Sequence, residues 1–260
     1  TQSRSSAASD VYKRQGKFGP ASGIILVDGY NVISNKVTSL SDKAISELTD
    51  TTGLGDTAYE TTPVGKVTME VVQEGAFFDT STNYSHAAFS GSVPTSPQAT
   101  ARIMCVGFAG QTVGYPMVGC EGAFSDSYEV LAELGNLQKA NVTYAMTGTR
   151  SAGVILQPLA AQTDSWDTTS TPVDNGSSSS AGGVGFIQCT AASGFSAFVG
   201  KIRHSSDDVT YSDLLSFTDN VTAPFAERVT VSGTVNRYVS FTGIITGTGS
   251  ITVFAAFARG

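Results

Sequence analysis

The chain has 260 residues, a formal charge of −7 and only 14% charged residues, against roughly 25% in an average soluble domain. Tight nucleic-acid binding needs a basic surface, which this acidic composition argues against, and no apolar run approaches the roughly eighteen residues of a membrane-spanning helix. Abundant Gly, Ser and Thr between short apolar runs predict many strands joined by turns. The low charge is also typical of surfaces buried between subunits, where charge is costly to desolvate.

The first fifteen residues stand apart from the rest of the chain. Ser5 to Gln15 resemble translated adapter sequence at the end of an assembled metagenomic read. Residues 1–15 are therefore predicted to be a non-native segment, with the native N-terminus missing, and are excluded from fold reasoning. A natural disordered arm is the alternative.

The next segment predicts a buried strand followed by a long polar loop. Residues 23–30 form an apolar run that ends in an Asp-Gly turn. The polar stretch from Ser34 to Pro63 is too long for an ordinary connection and is expected to contact other subunits. Within it, Ser41 predicts the start of a short helix through Leu48. The subunit-contact candidates are Asp50, Gly53, Leu54, Gly55 and Asp56.

Further strands and two more short helices are predicted before residue 150. Lys66 to Val72 alternates like a half-buried strand, and this alternation places Glu70 and Glu74 on one face. The helices are predicted over residues 80–89 and Ser127–Leu134. The strands are predicted at Ala101–Val106, Tyr115–Gly119 and Ala140–Thr147.

The second half has the regular strand spacing of a β-sandwich. A strand at Val154–Leu159 precedes a Ser/Gly-rich loop at residues 174–183, so the domain boundary is placed near residue 150. Residues 16–150 and 151–260 are the two predicted domains, and the class is all-β with one to three short helices. The later strands are predicted at residues 184–190, 196–204, 210–217, 228–232, 238–241 and 251–258.

Catalytic and metal-binding signals are weak throughout the chain. His204 with Asp207 suggests a Ser-His-Asp triad, but the Gly-x-Ser-x-Gly turn of such enzymes is absent. Asp207, Asp208 and Asp213 lack the spacing of a calcium loop, and a hairpin turn is preferred there. The three cysteines are predicted to be buried thiols. Trp166 is predicted to pack at the domain junction and not to bind sugar. We therefore expect a non-enzyme with no cofactor and no metal.

The chain resembles the major tail tube proteins of long-tailed, siphovirus-like bacteriophages, with an appended C-terminal β-sandwich. The resemblance lies in the order of the parts. A strand and turn at Leu26–Tyr30 precede the polar loop with Thr52–Asp56, and the strand residues Glu74–Asp79 follow. In the second half it lies in Ile202–Tyr211, Leu214–Phe217 and Glu227–Val239.

This resemblance implies a virion protein that is assembled in the host cytoplasm. Its β-barrel-like subunits would form stacked rings of six around a channel for double-stranded DNA, and they would contact other tail proteins but no membrane. The sandwich would decorate the outside. Residues 16–150 hold thirteen acidic and seven basic residues, so excess acid is available to line the channel without binding DNA tightly. Glu70 and Glu74 are the lumen candidates, and a solvated outer face is the alternative. The alternative functions are a carbohydrate- or receptor-binding protein, a capsid decoration protein or a connector.

Overall fold

A computed structural model of the chain describes residues 23–31, 39–50, 61–77, 102–134, 138–146 and 150–260. Within these ranges every regular element is a β-strand, which confirms the predicted all-β class. No helix among the described residues is long and apolar enough to cross a membrane.

Sixteen strands follow one another along the described chain, and every strand predicted from the sequence lies within or overlaps one of them. The first seven are β1 (Ile24–Val27), β2 (Tyr30–Asn31), β3 (Ser39–Asp50), β4 (Thr61–Phe77), β5 (Arg102–Gly107), β6 (Pro116–Leu131) and β7 (Lys139–Met146). The other nine are β8 (Arg150–Gln162), β9 (Trp166–Asp167), β10 (Val173–Asp174), β11 (Gly183–Ser193), β12 (Ala197–Ser205), β13 (Ser212–Ser216), β14 (Phe225–Val231), β15 (Tyr238–Thr246) and β16 (Ser250–Arg259).

Two of the three predicted helices are wrong. Residues 41–48 lie in β3, and residues 127–131 continue β6. A helix this short is marginal in water, whereas each of these segments gains a full ladder of hydrogen bonds, β3 from β4 and β6 from β7. The third predicted helix, at residues 80–89, lies outside the described residues.

One sheet of 11 strands carries most of the described chain. Its order runs β14-β11-β16-β8-β6-β5-β1-β2, and it branches at β6, whose second half pairs with β7 and leads on to β4 and β3. A second sheet of five strands has the order β10-β15-β12-β13, with β9 beside β15. Strand pairing crosses residue 150, because β8 pairs with β6 on one side and β16 on the other. The domain boundary near residue 150 stays a prediction.

Successive residues of one strand enter different hydrophobic cores. Ile24 and Leu26 belong to a central core, while Ile25 and Val27 face the opposite way, into a hairpin core. The central core is Ile24, Leu26, Cys105, Met117, Ile155, Phe186, Phe254 and Ala256. The hairpin core is Ile25, Val27, Val71, Met104, Val106, Cys120, Val142 and Tyr144. Strands buried on both faces have uninterrupted apolar sequences, which explains the run at the start of the chain.

A third, C-terminal core lies between the two sheets. Leu156 and Ile187 of the large sheet meet Phe198 and Phe241 of the small one. The three cysteines are divided among the cores, Cys105 in the central, Cys120 in the hairpin and Cys189 in the C-terminal core, and all are free and buried as predicted. Burial raises the pKa of the Cys189 thiol to about 12, so this thiol is not a nucleophile at neutral pH.

The predicted Asp28-Gly29 turn is confirmed and joins the first strand to the second half of the chain. Asp28 and Gly29 have positive φ angles of 47° and 81°. The Gly29 N–H donates to Gln188 Oε1 (2.6 Å), and Gln188 Nε2 donates to the Ile103 carbonyl (3.0 Å). A side chain at Gly29 would meet the Cys189 carbonyl oxygen at 2.4 Å. Only glycine fits this close approach, which brings the β1–β2 turn against β11.

Candidate subunit interface

The hairpin formed by β3 and β4 extends beyond the rest of the large sheet. The two strands pair from Ser39 opposite Glu74 to Asp50 opposite Thr61. β7 accompanies β4 only as far as Met69, so residues 61–68 pair only with β3 among the described residues. At roughly 3.4 Å per residue, this two-stranded part extends on the order of 25 Å.

The outer edge of β3 is the most prominent feature of this hairpin. Among the described residues, β3 pairs with β4 and with no other strand, and it is 12 residues long. An edge strand presents a row of backbone donors and acceptors that can pair with another chain. A two-stranded hairpin without a third partner is marginally stable in water. The outer edge of β3 therefore has the geometry to accept a further strand.

One of the five subunit-contact candidates, Asp50, lies at the far end of the described part of this hairpin. Asp50 ends β3 opposite Thr61, and Gly53, Leu54, Gly55 and Asp56 lie outside the described residues. The prediction of a loop from Ser34 to Pro63 is wrong for residues 39–50 and 61–63, which are strand. Their Ser, Thr and Asp content is typical of loops, but pairing between β3 and β4 supplies hydrogen bonds that composition does not show.

The two lumen candidates lie on one face of β4, as their spacing predicts. Val71 between them is fully buried in the hairpin core, whereas Glu74 is exposed and Glu70 is half-buried on the opposite face. Lys43, also exposed, lies in register opposite Glu70. Opposite charges in register across two strands attract each other. Lys43 therefore offsets part of the negative charge that Glu70 gives to this face.

The residues considered for catalysis or calcium binding do not form a reactive site. The His204 ring accepts a hydrogen bond from the Asn236 N–H through Nδ1 (3.2 Å), which holds the ring near the end of β12. Asp213 forms an ion pair with Lys201 and does not join Asp207 and Asp208 in a metal-binding cluster. No cluster of three or more His, Cys, Asp or Glu suited to a metal occurs among the described residues.

Asp207 stabilises the predicted hairpin turn between β12 and β13. Its Oδ1 accepts hydrogen bonds from the Thr210 N–H (2.9 Å), the Val209 N–H (3.0 Å) and the Ser205 hydroxyl (2.8 Å). These donors stabilise the carboxylate and lower its pKa to about 2.

We expect the Asp207 carboxyl to titrate near pH 2 in a carbon-detected NMR titration. Its pKa in the unfolded chain is about 3.9, so its contribution to stability is present above that pH and is lost as the pH falls toward 2. Ser205→Ala removes one donor and should raise this pKa, while Val221→Ser, at a distant exposed site, should leave it unchanged. A midpoint near 4 in the native protein would contradict the assignment.

The aromatic residues considered for sugar binding are packed inside the C-terminal half. Trp166 stacks on Phe198 at a centroid distance of 6.1 Å, and its indole N–H donates to Gln157 Oε1 at 2.8 Å. Gly243 lies beneath the indole, where a Cβ would come within 2.3 Å of it. Phe195 and Phe198 are also buried. Trp166 therefore packs between the two sheets, with partners that all lie in residues 151–260, and its position at a domain junction stays a prediction.

Two surface features were missed by the sequence analysis. Leu131 and Leu134, predicted to form the apolar side of a helix, are 40% and 106% exposed at the end of the β6–β7 hairpin. An apolar pocket of about 460 Å³ lies near the opposite end of β6, between Phe108 and Phe257. The exposed leucines were visible in the sequence as apolar residues just before Gly135, a residue typical of turns. The pocket had no sequence signal, because residues from distant segments line it.

No protein-family profile and no curated protein matches the chain. Three solved structures are similar in part. The tail of an empty GTA particle, refined helically with C6 symmetry, has 15% identity and a TM-score of 0.37 over 49% of this chain and 93% of its own. The sheath-tube complex of PVC, an extracellular contractile injection system in its extended state, has 14% identity and a TM-score of 0.42 over 58% and 99%.

The third is Dit of SPP1, described as a paradigm of the hub adsorption apparatus in phages that infect Gram-positive bacteria. It has 12% identity and a TM-score of 0.34 over 90% of this chain and 98% of its own. All three TM-scores lie below 0.5.

Proposed function

We propose that this chain is a non-enzymatic structural subunit of a phage-like tail, and specifically a tail tube subunit. Its copies form rings, six to a ring, that stack into a hollow tube through which double-stranded DNA passes. The tube is part of the virion and contacts other tail proteins. The observation that carries the proposal is the projecting β3–β4 hairpin, whose 12-residue edge strand pairs only with β4 among the described residues.

The hairpin and the surface charge both favour a role in assembly. Pairing of the β3 edge with a neighbouring copy would satisfy its backbone groups and would protect an edge that otherwise promotes aggregation. A net charge of −7 keeps DNA from adhering to the tube wall, because like charges repel. The residues at the hairpin end, from Asp50 to Asp56, are the proposed contacts with the next ring.

Deletion of Asp50–Thr57 is expected to abolish tube formation by residues 16–260. The deletion shortens the hairpin that carries the contacts, while the three cores, which contain none of these residues, remain. Negative-stain electron microscopy measures the assemblies, and circular dichroism checks the fold. Exchange of Ser177 and Ser178 for glycine, in an exposed loop of the other half, is the control. Normal tubes from the deletion variant would exclude the hairpin end as the stacking element.

Glu70 and Glu74 are proposed to face the lumen. Replacing both with lysine changes the charge by four units per subunit, and over a stack of rings these cations would bind phosphate groups. We expect DNA to be retained and ejection to slow in reconstituted particles, most strongly at low salt. Asp164→Lys with Asp208→Lys, at two exposed positions outside β4, changes the charge by the same amount and is the matched control. Unchanged retention and ejection at low salt would place Glu70 and Glu74 outside the lumen.

A further inference from the structure

The end of the β6–β7 hairpin exposes large apolar side chains. Val130 is 41% exposed, Leu131 40% and Leu134 106%. The neighbouring Glu129 and Glu133 are exposed as well, so both faces of the strand are open to solvent there. We call residues 129–134 the tip. Contiguous exposed apolar residues with a charged rim are characteristic of protein-interaction sites.

The pocket near the opposite end of β6 has the complementary chemistry. Its volume of about 460 Å³ lies within the range of roughly 300–1,000 Å³ typical of binding pockets. Phe108, Met117 and Phe257 supply an apolar lining, and Arg150 and Arg259 also border it. No carboxylate is among the described residues that line this pocket. The tip carries two glutamates, and one lysine, Lys139 on β7, lies in register opposite Leu131.

The tip and the pocket of one chain do not meet. Leu134 is fully exposed, so it does not occupy the pocket of its own chain. β6 has 16 residues and reaches from the pocket, at Met117, to the tip, at Leu131. The distance between these two residues would be on the order of 40–50 Å if the strand were straight, at roughly 3.3 Å per residue. The positive φ of 84° at Gly122 bends the strand between them without bringing Leu134 into the pocket.

We propose that the tip of one copy inserts into the pocket of a second copy. The exposed leucine side chains enter the apolar pocket, and Glu129 and Glu133 approach Arg150 and Arg259. This contact is heterologous, because each copy contributes a different surface to it. Heterologous contacts close into rings when the rotation between copies permits and otherwise form filaments. The inference rests on the proposed self-assembly and identifies the surfaces within it that join neighbouring copies.

Two variants separate the surfaces without touching the cores. Leu134→Glu places a charge on the tip, and Ala152→Trp fills the pocket from an exposed strand position that lines it. Val209→Glu, at an 81% exposed valine in the β12–β13 turn, is the matched control. In sedimentation velocity we expect each of the first two to raise the apparent dissociation constant at least about tenfold. The control should associate like the wild type, and high salt should weaken the wild-type association.

Mixing the two variants gives the most specific result. Leu134→Glu retains its pocket and Ala152→Trp retains its tip, so an equimolar mixture forms one intact contact. This contact should therefore join the chains only in pairs of one copy of each variant, because the remaining tip and the remaining pocket are blocked. An absence of heterodimer in the mixture, or association of each variant at the wild-type level, would overturn the proposal.

Cross-linking gives a second measurement that does not depend on filling the pocket. The native cysteines are buried, so Leu134→Cys in one chain and Ala152→Cys in another supply the accessible thiols. A short bismaleimide should join these two positions between chains, and failure to do so in an assembled sample would contradict the contact. Tubes formed normally by Leu134→Glu would overturn this contact and leave the proposed function standing. A wild-type chain that stays monomeric at high concentration would overturn both.

Discussion

Phe186→Ala is expected to lower the free energy of unfolding by about 3–5 kcal/mol, as large-to-small changes at buried phenylalanines do. Phe186 is fully buried and lies in the central core with Leu26, Met117 and Phe254. These side chains come from strands on both sides of residue 150, so the cavity would weaken contacts between the two halves. Urea unfolding followed by near-UV circular dichroism measures the change. A loss below about 1 kcal/mol would mean that the ring is not buried as described.

Gly119 provides an internal control for this prediction. A Cβ at Gly119 would come within 2.6 Å of the Phe186 ring, so Gly119→Ala should destabilise the native protein by overpacking, at a cost of roughly 1–3 kcal/mol. In the Phe186→Ala background the ring is gone, and the same exchange should cost little or partly fill the cavity. A double-mutant cycle measures this coupling. Additive effects within about 0.5 kcal/mol would show that the two residues do not touch.

The sequence predicted the strands that are buried on both faces and the turn that joins the first two. The apolar run at residues 24–27 has a direct physical cause, since alternate residues enter the central and hairpin cores. Asp28-Gly29 is a local signal, because few residues other than these tolerate positive φ. The regular strands after residue 183 were equally predictable from the sequence, because turn residues separate them.

The structures of residues 41–48 and 127–131 depend on non-local contacts. Leu40, Ala44 and Leu48 have the spacing of one helix face, and nothing nearby contradicts it. Pairing with β4 decides the conformation of residues 41–48. The polar segment between the two strands was predicted as part of a long loop, so the sequence did not predict this pairing. Trp166 is a similar case. Its polar neighbours indicate a loop, while the space for its ring comes from Gly243 on a distant strand.

The candidate interface was predictable only in part. The alternation of β4 placed Glu70 and Glu74 on one face, and the register with β3 agrees. The sequence also directed attention to the segment around Asp50. It did not show that this segment is carried on a projecting hairpin, because the pairing partner of an edge strand is a property of the sheet. The sequence likewise predicted a helix over Ser127–Leu134, although Leu134 is fully exposed beyond the end of β6.

Residues 16–149 alone are expected to lose the cooperative fold, whereas residues 150–260 alone are expected to keep theirs. The central core draws Ile155, Phe186, Phe254 and Ala256 from beyond the cut. Burying each of the three larger side chains contributes about 1.5–3 kcal/mol, and together they approach the whole stability of a typical domain, about 5–15 kcal/mol. The cut also removes β8, which pairs with the first residues of β6. Far-UV circular dichroism and urea unfolding of the two fragments measure the difference.

The expected difference in stability between the two fragments bears on the predicted domain boundary near residue 150. Every member of the C-terminal core lies between Val154 and Phe257, so residues 150–260 retain one complete core and the strands that enclose it. The same fragment lacks the first seven strands of the large sheet, so Phe186 and Phe254 are exposed in it, and we expect it to bind a hydrophobic dye and to self-associate. Adding residues 16–149 in trans should suppress dye binding, because the missing half of the central core covers these rings. A cooperatively unfolding fragment 16–149 would contradict this account, since it would show that the first half is stable without the strands that close its core.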